Sequence, residues 1–243
     1  MPCVYENIFP VAAGNTFDDV KDQYRDQINV QDDTHIIGAP HFAFTLVRDS
    51  DNYQRDAQYS LIQQEDFNNS ITIGRGTVLY SEDNLAFENR PVRLTAIKVN
   101  NQQAGKISIG NGCVMQGTVI VAYEHVDIGD LVLFGPSVTI MDSSGHPVTQ
   151  RWQDDDAART RSAKVTIKDN AWIGMGVTIL KGVTIGENAV VGANSVVYQD
   201  VPDNCIAMGN PARIVKQLDE NRPREESMQQ LEQQLEPELD IAS

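Results

Sequence analysis

The sequence holds four histidines, and one of them, His146, stands in the stretch MDSSGHPVTQRW at residues 141–152. An imidazole titrates near neutral pH, so it suits the task of taking a proton from a hydroxyl that is about to attack an electrophile. Such a base needs its second ring nitrogen held by an acceptor. Asp142, four residues earlier, could supply one, as could Asp154, Asp155 or Asp156. Each of these aspartates is equally readable as a solvated loop charge, and His146 as a solvated loop histidine.

The stretch breaks a regular pattern. In IKDNAWIGMGVTILKGVTIGENAVVGANSVV the aliphatic residues Ile167, Ile173, Ile179, Ile185, Val191 and Val197 fall six apart. A small or β-branched residue follows four places later at Ala171, Val177, Val183, Ala189 and Ser195. The same phase runs upstream through Ile109, Met115 and Val121 and, after a slip of one residue, through Ile128, Phe134 and Ile140. There Cys113, Val119, Val132 and Val138 take the small place. A weaker copy surrounds Ile73 and Thr77. An α-helix cannot keep a period of six on one face, whereas a short strand and a tight turn repeated every six residues can. Each hexad is then one side of a coil, with the aliphatic residue inside and Gly or Asn at the turn. Coils of this kind bury their apolar faces only by stacking.

The hexads and the closing stretch VVYQDVPDNCIAMGNPARIVKQL resemble the hexapeptide-repeat acyltransferases, nearest the maltose and galactoside type of sugar O-acetyltransferase. The likeness covers roughly residues 70–218 and is most specific at GHPV, at the AWIGMGVTILKGVTIGENAVVGANSVV run and at GNPAR. It implies an all-β fold, a left-handed parallel β-helix, and an acetyl-CoA-dependent enzyme that transfers acetyl directly to a sugar hydroxyl. It also implies a homotrimer, with acetyl-CoA along an edge shared by neighbouring subunits. By resemblance His146 is the general base and Asp142 its candidate orienter. Gln116 takes the place of an acceptor-binding Asn, keeping the amide on a longer side chain. Trp172, Met175 and Ala193 line the cofactor edge, with Arg213 and Lys216 near its phosphates; Trp172 is equally readable as packing against a neighbouring subunit. The sequence departs from the family twice more: Arg159 stands nearest the place of an acidic residue of the galactoside type, and Gln199 that of a basic residue. Two other readings stay open, an acetyltransferase of streptogramin-type antibiotics and a non-catalytic β-helix scaffold.

The remaining features set boundaries. Acidic residues number 34 against 19 basic, for a net charge of −15, which repels phosphate backbones and anionic lipid and argues against nucleic acid or membrane partners. No window approaches the ~18 apolar residues of a membrane span, and the N-terminus lacks a signal-peptide pattern, so a cytoplasmic protein is expected. Cys3, Cys113 and Cys205 form no CxxC pair, and His35, His41 and His125 show no metal-site spacing, so neither disulfide framework nor metal is expected. The expected organisation is an irregular section at 1–69, which includes the strand-like HFAFTLV, and a repeat domain at 70–218 with a loop inserted at 141–164. An acidic tail, a short helix or disordered, follows at 219–243.

Overall fold

The computed structural model describes residues 3–8, 17–50, 62–82 and 89–218; the expected acidic tail lies outside them. Among the described residues nearly all regular structure is strand, arranged in three sheets of six, seven and eight strands. Successive strands visit the three sheets in turn. Thus His125–Ile128 lies in the six-stranded sheet, Leu133–Phe134 in the eight-stranded and Thr139–Met141 in the seven-stranded. Each then pairs in parallel with the strand one circuit later: Val165–Ile167, Trp172–Ile173 and Thr178–Ile179. The chain is therefore a three-sided coil.

Registration of the circuits places the hexad aliphatics over one another. In the seven-stranded sheet Phe42, Leu94, Ile120, Ile140, Ile179 and Val197 form one column, each paired with the next. All are at most 1 % exposed. At ~1.5–3 kcal/mol for each fully buried aliphatic or aromatic side chain, such columns supply the main drive for stacking. The corners must be narrow for the stacking to hold. A Cβ on Gly174 would lie 2.7 Å from the backbone nitrogen of Ala193 in the next circuit.

Two details differ from the sequence pattern. The single slip of the hexads is two departures: Ile120 follows Met115 by five residues and Ile128 follows Ile120 by eight, so that Thr118 and Ile120 are fully buried whereas Val119 and Val121 are partly exposed. The first arises at the corner at Gly117, where the backbone runs at φ +55° and a Cβ would meet the side-chain oxygen of Asn89. Second, the sheets begin well before residue 70. Ile28–Val30, His35–Gly38 and His41–Asp49 pair in parallel with Ile71–Ile73, Val78–Ser81 and Arg93–Val99. HFAFTLV is thus a strand of the coil, and Arg93–Val99 lies in what reads as an unperiodic insertion. Val30, Ile36 and Phe42, which pair with Ile73, Leu79 and Leu94, do keep the six-residue spacing, but over a single circuit set off from the next by a long segment. Cys3–Ile8 closes one end, antiparallel to His41–Asp49.

Cys113 occupies its small-residue place with no exposure, and burial pushes its thiol pKa up to about 11 from 9.0. A folded-state value above the unfolded one means that the thiol's contribution is complete below pH 9 and is lost as pH rises towards 11. The shift corresponds to about 2–3 kcal/mol. Urea unfolding across this window should therefore show falling stability, and Cys113→Ala, which fits the same place, should flatten that part of the profile. An unchanged slope in the variant would contradict the assignment.

Candidate functional site

The inserted segment leaves the coil after Thr139–Met141 and returns at Val165–Ile167. It is folded on itself. Its two ends are closed by an antiparallel bridge between Ser143 and Ser162 and by the Ala163 N–H donating to the Asp142 carbonyl at 2.8 Å. The Arg161 carbonyl accepts from the Ser144 N–H at 3.2 Å and from the Lys181 ammonium, also at 3.2 Å. At the tip a short helix, Asp156–Arg159, is organised by its own carboxylate: Asp156 accepts from the Trp152 and Gln153 N–H groups and pairs with Arg159. Arg159 also pairs with Asp155 and donates to the carbonyls of Thr149 and Gln150, drawing both arms of the lobe together.

The lobe is tied to the coil by Asp49, at the end of His41–Asp49. Its carboxylate, 3 % exposed, accepts from the Ala157 N–H at 2.7 Å, the Ala158 N–H at 3.2 Å and the Asn100 amide at 2.8 Å. No local pattern could have marked this residue, since 108 positions separate the partners.

His146 lies on this lobe with its side chain exposed, and among the described residues the ring makes no hydrogen bond or ion pair. It follows Gly145, whose φ of +70° turns the chain sharply. The expected orienter faces elsewhere. Asp142 is fully buried, and its two oxygens accept from the Tyr123 N–H at 2.7 Å and the Glu124 N–H at 2.8 Å. Burial raises its pKa, and the N–H groups of Tyr123, Glu124 and His125 oppose that rise. The preceding circuit ends its strand at Ala122, so its next N–H groups need an acceptor, which Asp142 provides. Asp154 bonds the Ser50 hydroxyl at 2.9 Å, while Asp155 and Asp156 hold Arg159. Among the described residues no carboxylate is therefore hydrogen-bonded to His146.

The other expected residues collect on a different edge. Gln116, Met175 and Ala193 lie at the stacked corners between the eight- and seven-stranded sheets. There the Ser137 N–H donates to the Gln116 carbonyl, Gly176 to Pro136 and Asn194 to Met175. Trp172 lies beside them on the outer face of the eight-stranded sheet, 56 % exposed and in register with Leu133. Arg213 and Lys216 sit on Ala212–Gln217, the antiparallel strand that ends this sheet. The Arg213 guanidinium stands 5.4 Å over the Tyr198 ring, and neither cation joins an ion pair among the described residues. The remaining histidines do not converge: His35, His41 and His125 belong to three different sheets. His125 shares a hydrogen bond of 2.9 Å with the Ser108 hydroxyl, and no metal-binding cluster is assembled among the described residues. Nor is any described helix long and apolar enough to cross a membrane.

Replacing Asp49 by Ala leaves the Ala157, Ala158 and Asn100 donors without their acceptor, which should cost about 1–3 kcal/mol or more of lobe stability. Tryptic cleavage at Arg151, Arg159 and Arg161 should accelerate while the amides of the coil keep their hydrogen-exchange protection. A cleavage rate equal to that of the parent chain would exclude Asp49 as the anchor.

Comparison with known proteins places these features among others. Residues 164–199 match the model of the bacterial transferase hexapeptide family, six repeats. A galactoside O-acetyltransferase of Lactococcus lactis is 42 % identical over 102 residues, covering 42 % of this chain and 48 % of the relative. A second, from Escherichia coli, is 42 % identical over 103 residues, covering 42 % and 49 %. The chain thus spans about half the length of the curated relatives it matches. Among solved structures a variant of AntD, an N-acyltransferase from Bacillus cereus in complex with dTDP and coenzyme A, superposes with a TM-score of 0.51. The match covers 93 % of this chain and 98 % of that one at 17 % identity, a likeness of fold alone.

Proposed function

We propose that this chain, whose residues 164–199 match the bacterial transferase hexapeptide model and which is similar to galactoside O-acetyltransferases over part of its length, is an acetyl-CoA-dependent O-acetyltransferase. Its acceptor is a hydroxyl of a sugar or glycan precursor, and its coil is the left-handed parallel β-helix of that family. The observation that carries the reading is His146: an exposed imidazole, without a hydrogen-bond partner among the described residues, on a lobe that a buried carboxylate ties to the coil.

Acetyl-CoA, when bound, supplies an acyl group already activated as a thioester, so no covalent attachment to the protein is required. The residues at the corner edge fit that molecule. The tight corner at Gly174 and Ala193 presents backbone beside the exposed Trp172, against which an extended chain can lie, and Arg213 and Lys216 carry cationic heads for phosphates. His146 takes the proton of the acceptor hydroxyl, making its oxygen nucleophilic at neutral pH. Gln116, half-buried at the same edge, offers an amide to a second hydroxyl of the acceptor.

His146 and the corner edge lie on different parts of one chain, which supports assembly as a homotrimer in which the lobe of one subunit faces the edge of another. Leu131, Leu133 and Trp172, each about half exposed, give a neighbouring copy apolar surface to cover. Light scattering should return three times the chain mass; a monomer would remove this part of the reading.

Supplied with acetyl-CoA and a panel of sugars, the protein should release free CoA thiol. His146→Ala should lower turnover by a factor on the order of 10² to 10⁴, the usual worth of a general base. Unchanged turnover in a folded variant would remove His146 from the mechanism.

A further inference from the structure

The lobe shapes a half-open cavity of about 520 Å³ whose lining includes Ser144, Pro147, Thr149, Arg159, Thr160 and Arg161. That volume accommodates a monosaccharide with room for a substituent. His146 lies in the chain between two of the lining residues, Ser144 and Pro147, at the border of the cavity and outside its lining.

The charges around this cavity are unevenly satisfied. Arg159 is neutralised by Asp155 and Asp156. Arg161 is exposed, and among the described residues its guanidinium makes no hydrogen bond or ion pair. Its main chain, in contrast, is fully used, for the Arg161 carbonyl is the acceptor that closes the lobe. The Lys181 ammonium reaches the same place from the neighbouring circuit, bonded to the Ser144 hydroxyl at 2.9 Å and the Arg161 carbonyl, with no carboxylate partner among the described residues. Two cations without a carboxylate partner among the described residues thus border the cavity, Arg161 as part of its lining and Lys181 through its bond to the lining residue Ser144, beside the hydroxyls of Thr149 and Thr160. The chain otherwise carries a charge of −15, and carboxylates elsewhere pair with Lys98, Lys164 and Lys168.

We propose that this cavity selects an acceptor bearing an anionic group, a carboxylate or a phosphate on the sugar, which Arg161 and Lys181 bind while a neighbouring hydroxyl is presented to His146. The proposal rests on the acetyltransferase reading and narrows its substrate class. A guanidinium offers a carboxylate or phosphate two parallel N–H donors, and in a partly enclosed cavity that contact discriminates against a neutral sugar by more than it would in open water. A charge-assisted hydrogen bond is worth roughly 10- to 100-fold in binding.

The test compares methyl β-glucuronide, glucose 6-phosphate and methyl β-glucoside as acceptors, with acetyl-CoA held saturating. At least one of the two anionic sugars should exceed the glucoside in kcat/KM by tenfold or more, and which of them does so identifies the group. Arg161→Gln should bring the ratio of anionic to neutral acceptor down to about one while leaving the KM for acetyl-CoA as it was. A neutral acceptor preferred by the parent protein, or a ratio unmoved in Arg161→Gln, overturns the proposal. A rise confined to the KM for acetyl-CoA does the same, since it assigns the cations to the cofactor. If no sugar is acetylated, the functional reading fails, and the cavity is judged by thermal-shift titration of folded His146→Ala protein. Stabilisation by millimolar glucuronide or sugar phosphate, absent with glucoside and abolished by adding Arg161→Gln, supports the anion site; equal shifts with all three sugars overturn it.

Discussion

Every other feature depends on the close vertical stacking of one circuit on the next. Strands hydrogen-bonded in a sheet lie ~4.8 Å apart, so a corner can carry only what fits in that spacing. Gly174 against the Ala193 backbone, and Gly110 and Gly129 packed against their neighbouring corners, are the points at which an added carbon would separate the circuits. Once the corners nest, the inward residues have no freedom of register, and the columns of Ile, Val, Leu and Phe follow. The same nesting makes the outer surface regular, with equivalent places on successive strands exposed in rows.

A long segment inserted into such a stack costs little, because both its ends leave and re-enter at positions already held by neighbouring circuits. What it needs is internal order. The lobe obtains this from charged and polar groups instead of an apolar core: Asp156 and Arg159 at the tip, the Arg161 carbonyl at the base, and Asp49 on the coil. His146 is consequently carried on an ordered support while its ring stays open to whatever binds outside the chain. Asp142, one residue into the segment, serves the coil beneath it by accepting from Tyr123 and Glu124.

The regular hexads at residues 167–197 are legible because each sheet contributes one six-residue side, and no insertion interrupts them. Legibility falls where corners change length. The corner at Gly117 is one residue short and the next, before His125–Ile128, two residues long, a compensation that side-chain types alone do not mark, since valine and isoleucine occupy both alternatives. It falls further before residue 70, where Val30, Ile36 and Phe42 keep the six-residue spacing for one circuit only, too short a run to stand out before a long segment intervenes.

The sequence by itself determined the coil, its repeat and the place where a histidine-bearing segment interrupts it, because a fixed period and the residue types at its turns are local properties. Only the tertiary structure decided what surrounds that histidine. Asp142 is close in sequence yet turned towards backbone donors, whereas Asp49 and Lys181 are distant in sequence yet hold the lobe. Hydrogen bonds are chosen by which donors and acceptors folding leaves unmatched at one place in space, and stacking brings those together from circuits far apart along the chain.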